Sequence, residues 1–188
     1  MNALDIRELD IAGVFEIRLS PIADERGHFM RTYDTAAMRT AGLHREWAQE
    51  NQSRNTRKGI VRGLHFQFPP AAEAKLVRCT LGEVFDVFVD LRRGSSTFGR
   101  WGGLRLSSGS NNLVFIPRGF AHGYCTLSEL SEVQYKVDHA YDREREGGVL
   151  WNDPEIGITW PLEAPPLLSP KDHSAMTLAR FRERHGGL

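Results

Sequence analysis

Arg62-Gly63-Leu64-His65-Phe66-Gln67 is the stretch on which the reading of this chain turns. It follows Lys58-Gly59-Ile60-Val61, an apolar run with a β-branched pair. It ends in Phe68-Pro69-Pro70, a turn that a central strand could not carry. Alternate residues of a strand share a face. Arg62 and Leu64 are therefore expected to point one way, and Gly63, His65 and Gln67 the other. A cation and an imidazole so close together, beside a glycine that lets a ligand approach, are useful parts for holding a polar ligand. Further on, Lys75 opens a second strand-like run, Lys75-Leu76-Val77-Arg78-Cys79. Taken alone, these residues read more simply as a satisfied strand histidine and a solvated edge lysine.

On the C-terminal side the chain is plainly β. Val77–Glu83 leads into Val84–Leu91, where alternation puts Val84, Asp86, Phe88 and Asp90 on one face and Phe85, Val87, Val89 and Leu91 on the other. A face with two carboxylates implies a polar barrel interior or solvent. Arg93–Ser96 reads as a turn, Trp101–Leu106 as a strand and Ser107–Asn112 as a loop. Leu113–Ile116 runs into Pro117–Tyr124, and residues 131–137 form a further strand carrying Tyr135. Residues 138–168 read as loop, with a turn at Trp151–Pro154, and 174–185 as a short helix with basic residues near its end. On the N-terminal side, residues 6–18 predict one or two short strands. Asp24–Gly27 predicts a turn and 28–33 the strand leaving it. Residues 34–44 predict a helix capped by Asp34 or Thr35 and ended by Gly42. Residues 47–54 look extended, with Trp47, Gln49, Asn51 and Ser53 on one face. Many short strands, one early helix and no βαβ alternation predict an all-β barrel or jelly roll, in one domain over 1–188.

Composition narrows the function. Hydrophobic residues make up 40% and charged residues 26%, the balance of a soluble globular chain. Lys and Arg number 24 against 24 Asp and Glu, so no basic surplus argues for nucleic acid or a membrane surface. Two cysteines, Cys79 and Cys125, make no disulfide framework and fit a reducing cytoplasm. No signal peptide is expected, and no apolar run is long enough to span a bilayer.

Pro117-x-Gly119-x-x-His122 after an apolar strand matches the second motif of the cupin jelly rolls, with the histidine pointing into the barrel. Metal cupins carry His-x-His in their first motif; here the corresponding place reads His65-Phe66-Gln67. A divalent transition metal usually takes three or more protein ligands, so no metal and no cofactor is expected. Chemistry then falls to side chains. His65 is the candidate base, Arg62 and Lys75 are cations, Tyr135 is a candidate acid, and Asp172 is a candidate to orient an imidazole. A carboxylate partner fixes a histidine's tautomer and raises its basicity. A lysine at a carbonyl oxygen stabilises an enolate as charge develops. A base on one face of a carbon and an acid on the other is what inversion beside a carbonyl requires.

These segments together resemble the dTDP-4-dehydrorhamnose 3,5-epimerase family. The resemblance rests on Asp24-Glu25-Arg26-Gly27-x-Phe29, Gln49-Glu50-Asn51-x-Ser53, Lys58-Gly59-x-x-Arg62-Gly63-Leu64-His65-Phe66-Gln67, Lys75-Leu76-Val77-Arg78 and Val87-x-Val89-Asp90-Leu91-Arg92. It continues through Ile116-Pro117-x-Gly119-Phe120-Ala121-His122-Gly123, Trp151-Asn152-Asp153-Pro154 and Lys171-Asp172. It implies a dimeric cupin jelly roll that grips its nucleotide partly with the neighbouring subunit. It makes His65 the base, Asp172 its partner and Tyr135 the proton donor, with Lys75 and His122 around the sugar ketone. It puts Arg62 and Arg26 on the diphosphate, Phe29 and Tyr141 near the nucleobase, and Gln49 and Asn51 on polar pocket contacts. Two positions depart from the family pattern: Arg31 stands where a glutamate is common, and Glu73 where a glutamine is.

The leading expectation is epimerisation at C3, C5 or both of a nucleotide-linked 4-keto-6-deoxy sugar. Because arginine only donates hydrogen bonds, Arg31 raises the alternative of a cytidine- or other non-thymidine-linked substrate. The bland alternative is that Arg31 turns away and pairs with a carboxylate such as Glu73. A metal-dependent cupin oxygenase and a non-catalytic nucleotide-sugar binding module are the readings from other classes. Retention of base, carboxylate and phenol argues against mere binding.

Overall fold

The structure, a computed structural model, describes residues 4–188. Its strands are β1 (Leu4–Glu8), β2 (Phe15–Leu19), β3 (Ile22–Asp24), β4 (Gly27–Phe29), β5 (Gln49–Asn55), β6 (Val61–Gln67) and β7 (Lys75–Leu81). They continue with β8 (Glu83–Asp90), β9 (Trp101–Ser107), β10 (Asn112–Ile116), β11 (Phe120–Thr126), β12 (Ser131–Val137) and β13 (Glu146–Gly148). The helices are α1 (Thr35–Thr40), α2 (Pro170–His173) and α3 (Leu178–His185). One sheet runs β1-β2-β10-β7-β12-β5, a second β13-β6-β11-β8-β9, and β3-β4 form a separate hairpin. The named strand pairs are all antiparallel. This is the expected all-β, cupin-type jelly roll with a few short helices.

Alternation sorts the side chains into three apolar layers. Val77, Val114 and Val133 of the first sheet meet Val84, Phe88, Leu106 and Tyr124 of the second in the barrel interior. The outer face of the first sheet, with Ile17, Leu76 and Phe115, packs on Met38 of α1 and Leu43. The outer face of the second, with Leu64, Phe66, Val87 and Val89, packs on Leu178 and Phe181 of α3. Phe181 is fully buried, and a buried side chain of that size contributes about 1.5–3 kcal/mol. Thr177 caps α3 and Gly186, at φ +67°, ends it, while Asp153 in the Trp151–Pro154 turn accepts the Leu178 N–H at 2.9 Å. Asp86 of β8 lies in the barrel interior, completely buried. Asp90 instead closes the following turn through Arg92, Ser95 and Thr97.

A bulge in β6 corrects the facing of the first stretch. His122 of β11 pairs with His65, and two residues later Tyr124 pairs with Arg62, three residues back on β6. One extra residue on β6 resets its alternation. Arg62 and His65 consequently share a cavity, while Leu64 and Phe66 point outward to α3. Gly63 is not an opening for a ligand. A Cβ there would lie 2.6 Å from the Gly123 Cα and 2.8 Å from the His122 carbonyl oxygen, so the glycine exists to let β11 approach.

Other expectations need adjustment. The strand predicted over 28–33 stops at Phe29, because the β3–β4 hairpin stands clear of both sheets with all six residues exposed. The helix over 34–44 spans only Thr35–Thr40, with Asp34 as its cap. Within the predicted loop 138–168, Glu146–Gly148 adds β13 beside β6.

Candidate active site

The mouth of the barrel holds a cavity of about 470 Å³ between the two sheets. Arg62 and His65 enter it from β6, Lys75 from β7, His122 and Tyr124 from β11, Tyr135 from β12 and Asp172 from α2. A side cavity of about 140 Å³ shares His65, Lys75 and Tyr135 and adds Gln49, Asn51, Glu73, Tyr141 and Glu146.

His65 Nε2 lies 2.5 Å from Asp172 Oδ1. Asp172 is placed by a one-turn helix that starts at Pro170, whose fixed φ and missing N–H suit a first turn. Ser169 caps that turn, and its hydroxyl donates to Asp172 Oδ2 at 2.8 Å. Burial pushes the Asp172 carboxyl up. The hydrogen bond and charge of His65, with Ser169 and Lys171, outweigh it and hold the carboxyl below its ordinary value. The ionised oxygen only accepts, so His65 Nε2 carries the proton and Nδ1 keeps the free lone pair.

His122 makes a second imidazole–carboxylate pair, Nε2 to Asp86 Oδ2 at 2.9 Å. Asp86 Oδ1 has no protein partner among the described residues. Burial pushes the Asp86 carboxyl up, opposed by His122 and by the charge of Lys75.

Lys75 is buried, its ammonium on the Glu73 carboxylate and 5.7 Å from the centroid of the Tyr135 ring. Burial, then the charge of Glu73, push the Tyr135 phenol up, so it stays protonated at neutral pH. Arg62 Nε donates to Asn55 Oδ1 at 2.9 Å, which fixes its stem while the guanidinium reaches the cavity. Tyr124 hydrogen-bonds Ser53 at 2.7 Å on the same wall.

Six of the residues singled out from sequence thus meet in one cavity: Arg62, His65, Lys75, His122, Tyr135 and Asp172. Gln49, Asn51 and Tyr141 line the adjoining one. Gln49 Oε1 accepts the Tyr141 N–H at 2.6 Å, so its amide holds the Tyr141 loop; Tyr141 is 57% exposed. Arg26, Phe29 and Arg31 line neither cavity. Arg26 forms a fork with Asp24 on the hairpin, and Phe29 is 69% exposed. Arg31 pairs with Asp34 at 3.3 Å rather than with Glu73. Sequence reasoning missed Asp86 as the His122 partner and Glu73 as the Lys75 partner. The two-residue spacing of Glu73 and Lys75 was a signal for the second; Asp86 meets His122 only once β8 is laid beside β11. No group of three His, Cys, Asp or Glu among the described residues is disposed to hold a metal ion.

The profile of the dTDP-4-dehydrorhamnose 3,5-epimerase family matches residues 8–180. The chain is 45% identical over 173 residues to the dTDP-4-dehydrorhamnose 3,5-epimerase of Shigella flexneri, covering 92% of this chain and 93% of that one. It superposes with a TM-score of 0.91 on a 4-keto-6-deoxy sugar epimerase from the novobiocin biosynthetic gene cluster of Streptomyces spheroides, at 42% identity, covering 96% and 90% of the two chains. The TM-score is 0.89 with the dTDP-6-deoxy-D-glucose-3,5-epimerase of Legionella pneumophila in complex with dTDP-4-keto-L-rhamnose, at 38% identity and 94% and 93% coverage. The chain belongs to the dTDP-4-dehydrorhamnose 3,5-epimerase family of isomerases.

Proposed function

We propose that residues 1–188 act as one cupin domain that inverts C3 and C5 of a dTDP-linked 4-keto-6-deoxyhexose. The supporting observation is the arrangement of the His65–Asp172 pair, Lys75 and Tyr135 around one cavity. His65 Nδ1 removes the proton from the carbon beside the ketone, and the imidazolium formed is held by ionised Asp172. The electron pair moves into the C4–oxygen bond. Lys75 and His122 stabilise the developing enolate oxygen. Tyr135 returns a proton to the opposite ring face and regains its own from solvent. The His65 imidazolium releases its proton to solvent, and repeating the cycle at the second carbon completes the double inversion.

Arg62, with Gln49 and Asn51 nearby, serves the diphosphate and polar contacts. Arg26, Phe29 and the exposed hairpin serve a second subunit's nucleotide, so the working unit is a homodimer. The exposure of Ile22 and Phe29 supports this. Tyr141 stacks at the base. The ion pair of Arg31 with Asp34 supports the reading in which Arg31 turns away from the base, and so a thymidine-linked substrate. Both cysteines are buried free thiols, which suits the cytoplasm.

Incubating the protein with dTDP-4-keto-6-deoxyglucose in deuterated water and following C3 and C5 by NMR tests the reading. Deuterium should enter both carbons with inversion, and His65→Ala should fold yet lose the exchange by at least about 10²-fold. Exchange at the wild-type rate in His65→Ala would remove His65 as the base.

A further inference from the structure

Glu73 has no part in the proton transfers just described, yet its side chain is only 10% exposed and reaches the cavity that holds them. One carboxylate oxygen takes the Lys75 ammonium, and the other accepts from Gln67 Nε2 at 3.1 Å. Gln67 is itself fixed, donating to the Ala71 carbonyl at 3.0 Å and accepting the Asp142 N–H at 2.6 Å. The carboxylate therefore cannot swing aside without breaking a buried network. What it holds is a cation close to a phenol, since Lys75 Nζ is 5.7 Å from the Tyr135 ring centroid. An uncompensated ammonium in that position favours phenolate, and a phenolate has no proton to give.

We propose that Glu73 is a positioning residue that pins Lys75 and cancels its charge at Tyr135, so that the phenol keeps its proton well into the alkaline range. This rests on the proposed role of Tyr135 as proton donor. The other groups around the phenol are Arg62 on β6, which favours ionisation, and Glu146 on β13 and Tyr124 on β11, which oppose it. His65 lines the same cavity. Among these, Glu73 is the largest charge contribution opposing ionisation, after burial itself.

The test reads the phenol directly, apart from turnover. Tyrosinate absorbance is titrated in the intact protein and in Tyr135→Phe, and the difference isolates Tyr135 from the other three tyrosines. The same difference is taken in the Glu73→Gln background. Removing the carboxylate charge should lower the Tyr135 midpoint by about one pH unit, a tenfold change in ionisation constant. The alkaline limb of inversion should move with it, and Glu73→Asp should restore most of the shift. Glu73→Ala carries the same expectation if the glutamine variant does not fold. A midpoint unchanged or raised in Glu73→Gln or Glu73→Ala overturns the proposal, even where Tyr135→Phe has abolished inversion. If Tyr135→Phe leaves inversion intact while the midpoint still shifts, the donor role fails and the electrostatic role of Glu73 stands.

Discussion

Replacing Asp172 by asparagine probes the base through its tautomer. The wild-type carboxylate accepts from His65 Nε2 at 2.5 Å, which leaves Nδ1 unprotonated on a ring that lines the cavity. In the variant, Ser169 decides the amide's orientation. Its hydroxyl donates at 2.8 Å to the oxygen that does not face His65. An asparagine keeps that bond by placing its carbonyl on Ser169 and its NH₂ on His65. Nε2 must then accept, the ring proton moves to Nδ1, and the base is lost without any change of shape. General-base function is worth about 10²–10⁴ in rate, or about 3–5 kcal/mol of barrier. Deuterium incorporation at C3 and C5, followed by NMR, should fall by that factor while circular dichroism is unchanged. The acid stability of the variant gives an independent reading. Because the folded Asp172 carboxyl titrates below its ordinary value, its contribution is present above about pH 4 and disappears as pH falls through the folded value. The melting temperature of Asp172→Asn should therefore be lower at neutral pH and should fall less on acidification. Exchange within threefold of wild type would refute the tautomer argument.

Tyr135→Phe should retain part of the solvent exchange, since the base is intact, but lose inversion sharply; inverted product at an unchanged rate would disqualify it as donor. Activity should persist after dialysis against a strong chelator, because no group of three His, Cys, Asp or Glu among the described residues is disposed to hold a metal ion; activity restored only by added zinc, iron or manganese contradicts this. dTDP should bind more tightly than CDP with the preference unchanged in Arg31→Ala, as titration calorimetry would show; a preference that collapses in the variant would return Arg31 to the base site. Gly63→Ala should cost about 2–5 kcal/mol, from overpacking against β11 and a Cβ at φ +127°, measured by denaturant unfolding; a loss below about 0.5 kcal/mol would mean that β11 yields.

How much was legible depended on whether the information was local. Asp34 as a cap and the strands at Lys75–Leu81 and Ser131–Val137 follow from residues adjacent in sequence, and the structure has them. The facing of Arg62 against His65 did not, because a bulge is set by the partner strand and by the close approach of Gly123 to Gly63. The short strand Glu146–Gly148 was missed because Gly147 and Gly148 carry no β pattern; β6 draws it into register. Within the site, the residues read from motifs converge, but their carboxylate partners were only half visible. Asp172 could be named through the resemblance, whereas Asp86 bonds His122 across two strands far apart in sequence. Arg26 and Phe29 line neither cavity of this chain, and residues proposed to serve another copy would leave no mark in their own chain's packing.

The two histidines show why a cupin barrel that lacks the second histidine of its first motif still has a use for the first. His65 and His122 sit opposite each other on paired strands, β6 and β11. Nε2 of each ring is turned to its own carboxylate, from α2 for His65 and from β8 for His122. The two carboxylates differ in a way that separates the roles of the rings. Asp172 is held ionised, which suits a partner that must gain a proton and keep it briefly as an imidazolium. Asp86 is pushed by complete burial toward its neutral form, so it offers little support for a second imidazolium beside the first. Under the proposed mechanism one ring cycles its proton and the other holds a substrate oxygen. That division follows from the environment of the two carboxylates rather than from the histidines themselves.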